Sequence, residues 1–251
     1  MQKKMTKLTA LLLASMIALS GCGGGSNGNG GASADGSGEE ITELALPVSI
    51  NRELETFNIL YSQRGEDSEN LTNLVDGLLS ADPQGKLVPA IAESWETTDG
   101  GETWTFHLRD GVKWVNMNGE EMADCNAKDF AAGLEWILNF HKNDSANTSM
   151  LIEMLSGAKE YYDYTKTLST EEAYALNAED GSKFREMVGF ETPDDLTVVY
   201  HCLAKKPYFD SLATYNCLYP GPKELLDEMG PEAYKAINNE TMWYNGCYTM
   251  T

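Results

Sequence analysis

Apolar and polar residues alternate most clearly at Thr103 to Leu108, where Trp104, Phe106 and Leu108 interleave with Thr103, Thr105 and His107. That period of two predicts a strand with one buried face and one wet face. Ala92 to Thr98 reads as its hairpin partner, joined through Asp99-Gly100-Gly101, whose glycines accept the positive φ that tight hairpins need. Asp110-Gly111 turns the chain again before a short strand, Val112 to Val115. Leu44 to Ile50 reads as a first strand, and Leu196 to Cys202 is β-rich after the Asp194-Asp195 turn.

Helical spacing marks four further stretches. Asn70 to Leu79 places Leu71, Leu74, Val75, Leu78 and Leu79 inward; Ala127 to about Phe140 places Phe130, Leu134, Ile137, Leu138 and His141 on one stripe. Met150 to Tyr164 repeats the period through Leu151, Met154, Leu155, Ala158 and Tyr162, and Lys223 to Met229 is a shorter helix. Asn126 stands as N-cap of the second stretch, with Asp129 in the place of the acid of a capping box. The pattern is mixed α/β in the α+β sense, without strict βαβ alternation.

Before this body the pattern changes. Lys3, Lys4 and Lys7 precede an apolar run, Leu8 to Leu19, that is too short to span a bilayer as a helix and reads as an export signal. It ends in Leu19-Ser20-Gly21-Cys22, which resembles the bacterial lipobox. The resemblance implies a leader over residues 1–21, diacylglycerol on Cys22, and a chain held to a membrane by its acyl groups. Residues 22–40 are nearly all Gly, Ser, Asn, Ala and acid, a composition that cannot offset the entropy of ordering and reads as a flexible tether. Gly24-Gly25-Ser26-Asn27-Gly28 satisfies G-x-S-x-G, and Gly23, Gly25 and Gly28 satisfy G-x-G-x-x-G. Both are chance matches, because each motif needs a strand before it and a helix after it.

Charge and chemistry narrow the function. Loss of the leader removes three lysines and takes the net charge from −21 to −24, which excludes nucleic acid as a partner and leaves membrane residence to the acyl anchor. Cys125, Cys202, Cys217 and Cys247 show no metal-ligand spacing; Cys202 and Cys217 pairing and free buried thiols both stay open. Only His107, His141 and His201 offer imidazoles, with no spacing that suggests a metal or a triad. Glu120-Glu121 and Asp194-Asp195 read as solvated turns. No cofactor, metal or catalytic residue is implied.

A family signature emerges from longer blocks. Val75-Asp76-Gly77-Leu78-Leu79 is followed by Asp82 to Trp95, then by Thr103 to Trp114 and Ala127-Lys128-Asp129-Phe130; further blocks are Asp195 to Val199, Lys206-Pro207-Tyr208-Phe209 and Gly246-Cys247-Tyr248. Together they resemble the bacterial solute-binding proteins of family 5, the peptide- and nickel-binding class. Cys247 departs from the proline usual there, and Thr56-Phe57-Asn58-Ile59 is a weak form of Thr-Leu-Asp-Pro.

The resemblance implies a periplasmic-binding-protein-like class II body of two lobes that close on a solute and present it to an ABC importer permease. On that expectation residues 41–73 and 216–251 belong to the first lobe, residues 74–215 form an inserted subdomain, and the second lobe is missing, so that the 251-residue product alone should not function. Tyr61, Ser62 and Gln63 are the expected cleft-facing residues, with Asn245 and Tyr248 beside the second crossover. Peptides are the expected cargo, because an extended main chain can pair with a cleft edge irrespective of side chains. A nickel chelate, an oligosaccharide or a signalling peptide, a surface sensor without an importer, and a surface-anchored hydrolase are the alternatives.

Overall fold

The computed structural model describes residues 54–62, 64–143, 147–230, 233 and 237–250. The expected leader and tether, Cys22 and the expected strand Leu44 to Ile50 lie outside them.

Eight strands occur among the described residues: β1 (Leu79–Ala81), β2 (Leu87–Pro89), β3 (Ala92–Glu96), β4 (Thr103–Leu108), β5 (Lys113–Val115), β6 (Glu121–Asp124), β7 (Phe190–Asp194) and β8 (Thr197–His201). Four of them form an antiparallel sheet in the order β3-β4-β8-β7, two hairpins joined along β4 and β8. The alternation read from the sequence sets its faces: Trp104, Phe106 and Leu108 are buried, while Thr103, Thr105 and His107 are half-buried. In register across β8, Phe106 meets Val198 and Trp104 meets Tyr200. The inner face is aromatic, with Tyr200 packed against Phe106, Phe190 and Phe209 at centroid distances of 5.8, 4.9 and 5.4 Å.

The β3–β4 turn is built as expected. Asp99 Oδ1 accepts the N–H groups of Thr103 and Glu102, each at 2.9 Å, and these donors, that of Thr103 foremost, hold its carboxyl well below the usual carboxylate range. Gly101 has φ 96°, and a Cβ there would come within 2.6 Å of the Lys206 backbone. Only glycine fits on both counts.

The helices are α1 (Gly65–Leu71), α2 (Ala127–Leu138), α3 (Asn147–Met154), α4 (Ala158–Thr167), α5 (Thr170–Tyr174), α6 (Lys183–Met187), α7 (Phe209–Leu212) and α8 (Lys223–Met229), with a 3-10 turn at Asn216–Leu218. α2 is the central helix and packs against β7, β8, α3, α4 and α8. Its capping box forms: Asn126 Oδ1 accepts the Lys128 N–H and Asp129 Oδ2 accepts the Asn126 N–H, both at 2.9 Å. Phe130, Leu134, Ile137 and Leu138 are buried, as their stripe predicts.

Two helical expectations need correction. The Asn70–Leu79 stretch is not one helix: α1 ends at Leu71, and Leu74, Val75 and Leu78 reach the core from turns. The carbonyls of Gly77 and Leu78 accept from Ile91 and Ala92 at 3.1 and 2.9 Å, so the β1–β2 hairpin outcompetes the i→i−4 ladder. Met150–Tyr164 is divided at Gly157, whose φ of 71° interrupts the helix. A Cβ at Gly157 would sit 1.7 Å from the Met187 carbonyl oxygen, so close chain passage sets this break. Tyr161, rather than Tyr162, then enters the core.

At the end of α2 a charged pair is buried. Glu135 Oε2 pairs with Lys142 Nζ at 2.7 Å, with side chains only 3% and 10% exposed. Tyr161 Oη and Asn139 Nδ2 donate to Glu135 Oε1 at 2.8 and 2.9 Å, and Lys142 Nζ also donates to Leu176 O. Every oxygen of the carboxylate is thereby satisfied, which is the condition for tolerating a charge in the interior.

Candidate functional site

The expected ligand edge is a tight turn held by side chains from far along the chain. Asn58 caps it locally: its carbonyl accepts from the Tyr61 and Ser62 N–H groups at 3.1 Å, and its Oδ1 accepts from the Leu60 N–H at 3.0 Å. The carbonyls are engaged from outside. Asn143 and Asn147 each donate to Leu60 O at 3.0 Å, Asn147 also to Ser62 O at 2.9 Å, and Asn216 to Ile59 O and Ser62 O at 3.1 and 3.2 Å. Three asparagine amides thus clamp the turn: Leu60 O and Ser62 O each take two of these donors and Ile59 O takes one, so loss of Asn216 leaves the Ile59 carbonyl without its side-chain donor.

Of the expected residues, Ser62 lies inside, 1% exposed, and its hydroxyl donates to buried Asp67 at 3.2 Å. Asp67 also accepts the Glu55 N–H, so Ser62 fixes the turn's conformation. Tyr61 is half-buried, and Gln63 lies outside the described residues. Tyr215, which precedes the Asn216 clamp, is 54% exposed.

Asn245 and Tyr248 belong to a segment that crosses back over the first one. Val115 and Tyr244 exchange both N–H···O bonds at 2.8 Å, and the N–H groups of Gly246 and Tyr248 donate to Leu74 O and Asn73 O at 3.0 and 3.2 Å. Asn245 Oδ1 accepts from the Asp76 N–H at 2.8 Å while its Nδ2 approaches Cys125 Sγ at 3.5 Å. Its amide is a structural bridge, whereas Tyr248 is 39% exposed. Both expected groups are therefore tied to the same stretch, Asp67 to Asp76.

Where the segment meets α2, Asp129 is 2% exposed. Its carboxylate accepts from the Asn126 N–H, from Trp114 Nε1 at 3.1 Å and from the Lys223 N–H at 2.9 Å. Burial outweighs these three donors and pushes its carboxyl up to about 6. Cys125, Cys202 and Cys217 are buried free thiols, and desolvation raises all three, Cys202 to about 11 and Cys217 to about 12. They stay protonated and unreactive near neutrality.

The arrangement offers a fixed edge with aromatic surface rather than a catalytic constellation. Ser62 faces a carboxylate without an imidazole beside it. His107 and His201 lie on the sheet next to Glu96 and Glu191, and His141 Nδ1 contacts Thr170 Oγ1 at 3.2 Å. Among the described residues no group of three metal-ligating side chains converges, and no helix is long and apolar enough to cross a membrane.

Residues 86–251 match the model of bacterial extracellular solute-binding proteins, family 5 middle, and the chain belongs to that family. It is 31% identical over 197 residues to the oligopeptide-binding protein SarA of Streptococcus gordonii, which covers 78% of this chain and 27% of SarA. It is 27% identical over 178 residues to the probable deoxycholate-binding periplasmic protein YgiS of Escherichia coli, 71% of this chain and 29% of that one. The crystal structure of Haemophilus influenzae OppA in complex with the peptide RPPGFSPFR superposes with TM-score 0.60 at 28% identity, covering 78% of this chain and 34% of OppA. The fold is thus that of the OppA-type periplasmic binding proteins, a family of solute binders rather than enzymes. The chain spans about a third or less of the length of these relatives.

Proposed function

We propose that this chain contributes the first lobe, residues 41–73 and 216–251, and the inserted subdomain, residues 74–215, of a lipid-anchored protein that captures peptides outside the cytoplasm and delivers them to an ABC importer permease. The observation that carries this reading is the asparagine clamp on Ile59, Leu60 and Ser62, a preformed edge in a family whose relatives include oligopeptide binders. A turn fixed before ligand arrives loses little entropy on binding. Tyr61, Tyr248 and Gln63 are the residues assigned to ligand contact; Ser62 and Asn245 hold their segments in shape. Closure of two lobes on the solute would then give the permease a state to recognise. Cys22 supplies the membrane attachment through acyl chains.

The test is isothermal calorimetry of the full-length gene product against a mixture of peptides of five to nine residues, deoxycholate and a nickel chelate. Saturable heat with peptides supports the reading; heat with deoxycholate or the chelate alone overturns the cargo assignment. Mass spectrometry of the membrane-extracted protein, before and after Cys22→Ala, tests the anchor: an acyl mass that survives the substitution rules out Cys22.

A further inference from the structure

A pocket of about 210 Å³ opens between the 178–180 loop, α6, the β7–β8 hairpin and the start of α8. It is smaller than the ~300–1,000 Å³ clefts that take drug-sized ligands, and charges line it on both sides. Two pairs close its rim: Lys128 Nζ with Asp195 Oδ1, and Lys223 Nζ with Glu179 Oε1, both at 3.0 Å. Three charged side chains in the lining stand apart from these pairs, namely Arg185, Asp180 and Asp194.

Arg185 is built into the wall. Its Nε donates to Ala178 O at 2.8 Å and one Nη2 hydrogen donates to Thr192 Oγ1 at 2.9 Å. Its guanidinium lies 5.2 Å from the Phe190 ring centroid and 6.0 Å from that of Phe184. Both hydrogen-bond acceptors are neutral, and among the described residues no carboxylate lies within ion-pair distance of it. The side chain is half-buried, and desolvation pulls it below the ordinary guanidinium range despite the fields of Asp180 and Glu179. Two of the five guanidinium N–H groups are used, leaving both Nη1 hydrogens and one on Nη2, and an Nη1–H beside an Nη2–H is the fork that takes a carboxylate through two parallel bonds. Among the described residues Asp194 accepts just the local Leu196 N–H, at Oδ1 and 2.9 Å, and Asp194 lines the same concavity, which gives it acceptor capacity for an ammonium.

We propose that this pocket binds a free α-amino acid, with Arg185 holding the carboxylate and Asp180 and Asp194 holding the ammonium. An arginine held by neutral acceptors, in a concavity also lined by two acids that form no ion pair among the described residues, is complementary to a ligand that carries both charges a few bonds apart. A simple anion would meet the acids as well as the arginine, and a simple cation would meet the arginine. The site is separate from the 58–62 turn and does not rest on the peptide reading.

The experiment uses the full chain and L-alanine as probe, followed by NMR chemical-shift titration up to about 10 mM, which covers affinities of the ~1 mM class. Saturable shifts at Arg185, Asp180 and Asp194 are expected, with acetate and ethylamine each at least about tenfold weaker. Arg185→Gln should abolish saturation, and Asp180→Asn with Asp194→Asn should weaken it about tenfold. Circular dichroism of each variant checks folding, and Arg185→Lys serves as a second variant that keeps charge but not the fork. No saturation by L-alanine, equal binding of acetate, or unchanged binding by a folded Arg185→Gln variant overturns the proposal. Peptide calorimetry on the same variants separates this site from the cleft, because its heats should not change.

Discussion

The sheet and the 58–62 turn are stabilised in opposite ways. In the sheet two local hairpins, β3–β4 and β7–β8, are joined by a β4–β8 ladder between residues 90 to 98 positions apart, and it is backed by the buried rings of Trp104, Phe106, Tyr200 and Phe190. In the turn the local bonds come from Asn58, but the shape depends on Asn143, Asn147 and Asn216, which lie 83 to 157 residues distant. Apolar burial makes the first region stable, whereas directional amide bonds make the second specific. The difference teaches that the candidate ligand edge hangs on a few single directional bonds, while the sheet's equally distant pairing is backed by many buried apolar contacts.

The most severe way to break the comparison is Phe106→Ala. It removes a fully buried ring from the aromatic face and is expected to cost ~3–5 kcal/mol in urea unfolding. A comparable loss from the clamp would erase the contrast. Asn216→Ala is expected to cost only ~1–3 kcal/mol, because it leaves the Ile59 carbonyl without its side-chain donor, and Asn147→Ala less than that, because Asn143 and Asn216 still donate to Leu60 O and Ser62 O. Their signature is local: amide exchange at Leu60, Tyr61 and Ser62 should accelerate while the β4 and β8 amides keep their protection. Uniform acceleration across both regions refutes the division.

Asp129 sharpens the contrast further, since it fastens Trp114 of β5 and Lys223 of α8 to the start of α2. Its folded carboxyl titrates near about 6, against ~3.9 for an unfolded aspartate. The folded chain therefore keeps a proton that the unfolded chain has released. That contribution to stability is full below about pH 4 and is lost as pH rises through about 6, at no more than ~1.4 kcal/mol per pH unit. The difference in urea midpoint between the native chain and Asp129→Asn should change over this window and be flat above about pH 7. The smallest effect belongs to the exposed Lys159–Asp163 pair on α4: Lys159→Ala should leave the unfolding midpoint unchanged within error, as solvated pairs do.

What was legible follows the same line. The hairpin at Asp99-Gly100-Gly101, the capping box at Asn126 and Asp129, and the helix Lys223–Met229 were all readable, because each depends on neighbours in sequence. Strand β7 was not: Phe190-Glu-Thr-Pro-Asp alternates poorly, and its place is dictated by pairing with β8. Gly157 gave no warning of a break, since the reason is the Met187 carbonyl passing beside it. At the candidate site family likeness pointed to the stretch around Tyr61 as an expectation, but the burial of Ser62 and the three asparagine donors had no signal in the sequence. An asparagine side chain advertises no distant partner; only the folded chain shows that Asn216 reaches back to Ile59 and Ser62.

That reach orders events in time. Ser62 precedes Asn216 by 154 positions, and at the ~5–20 residues per second of synthesis the third amide is made roughly eight to thirty seconds after the turn. A chain that stops short of position 216 would carry the residues of the edge with the Ile59 carbonyl still lacking its side-chain donor.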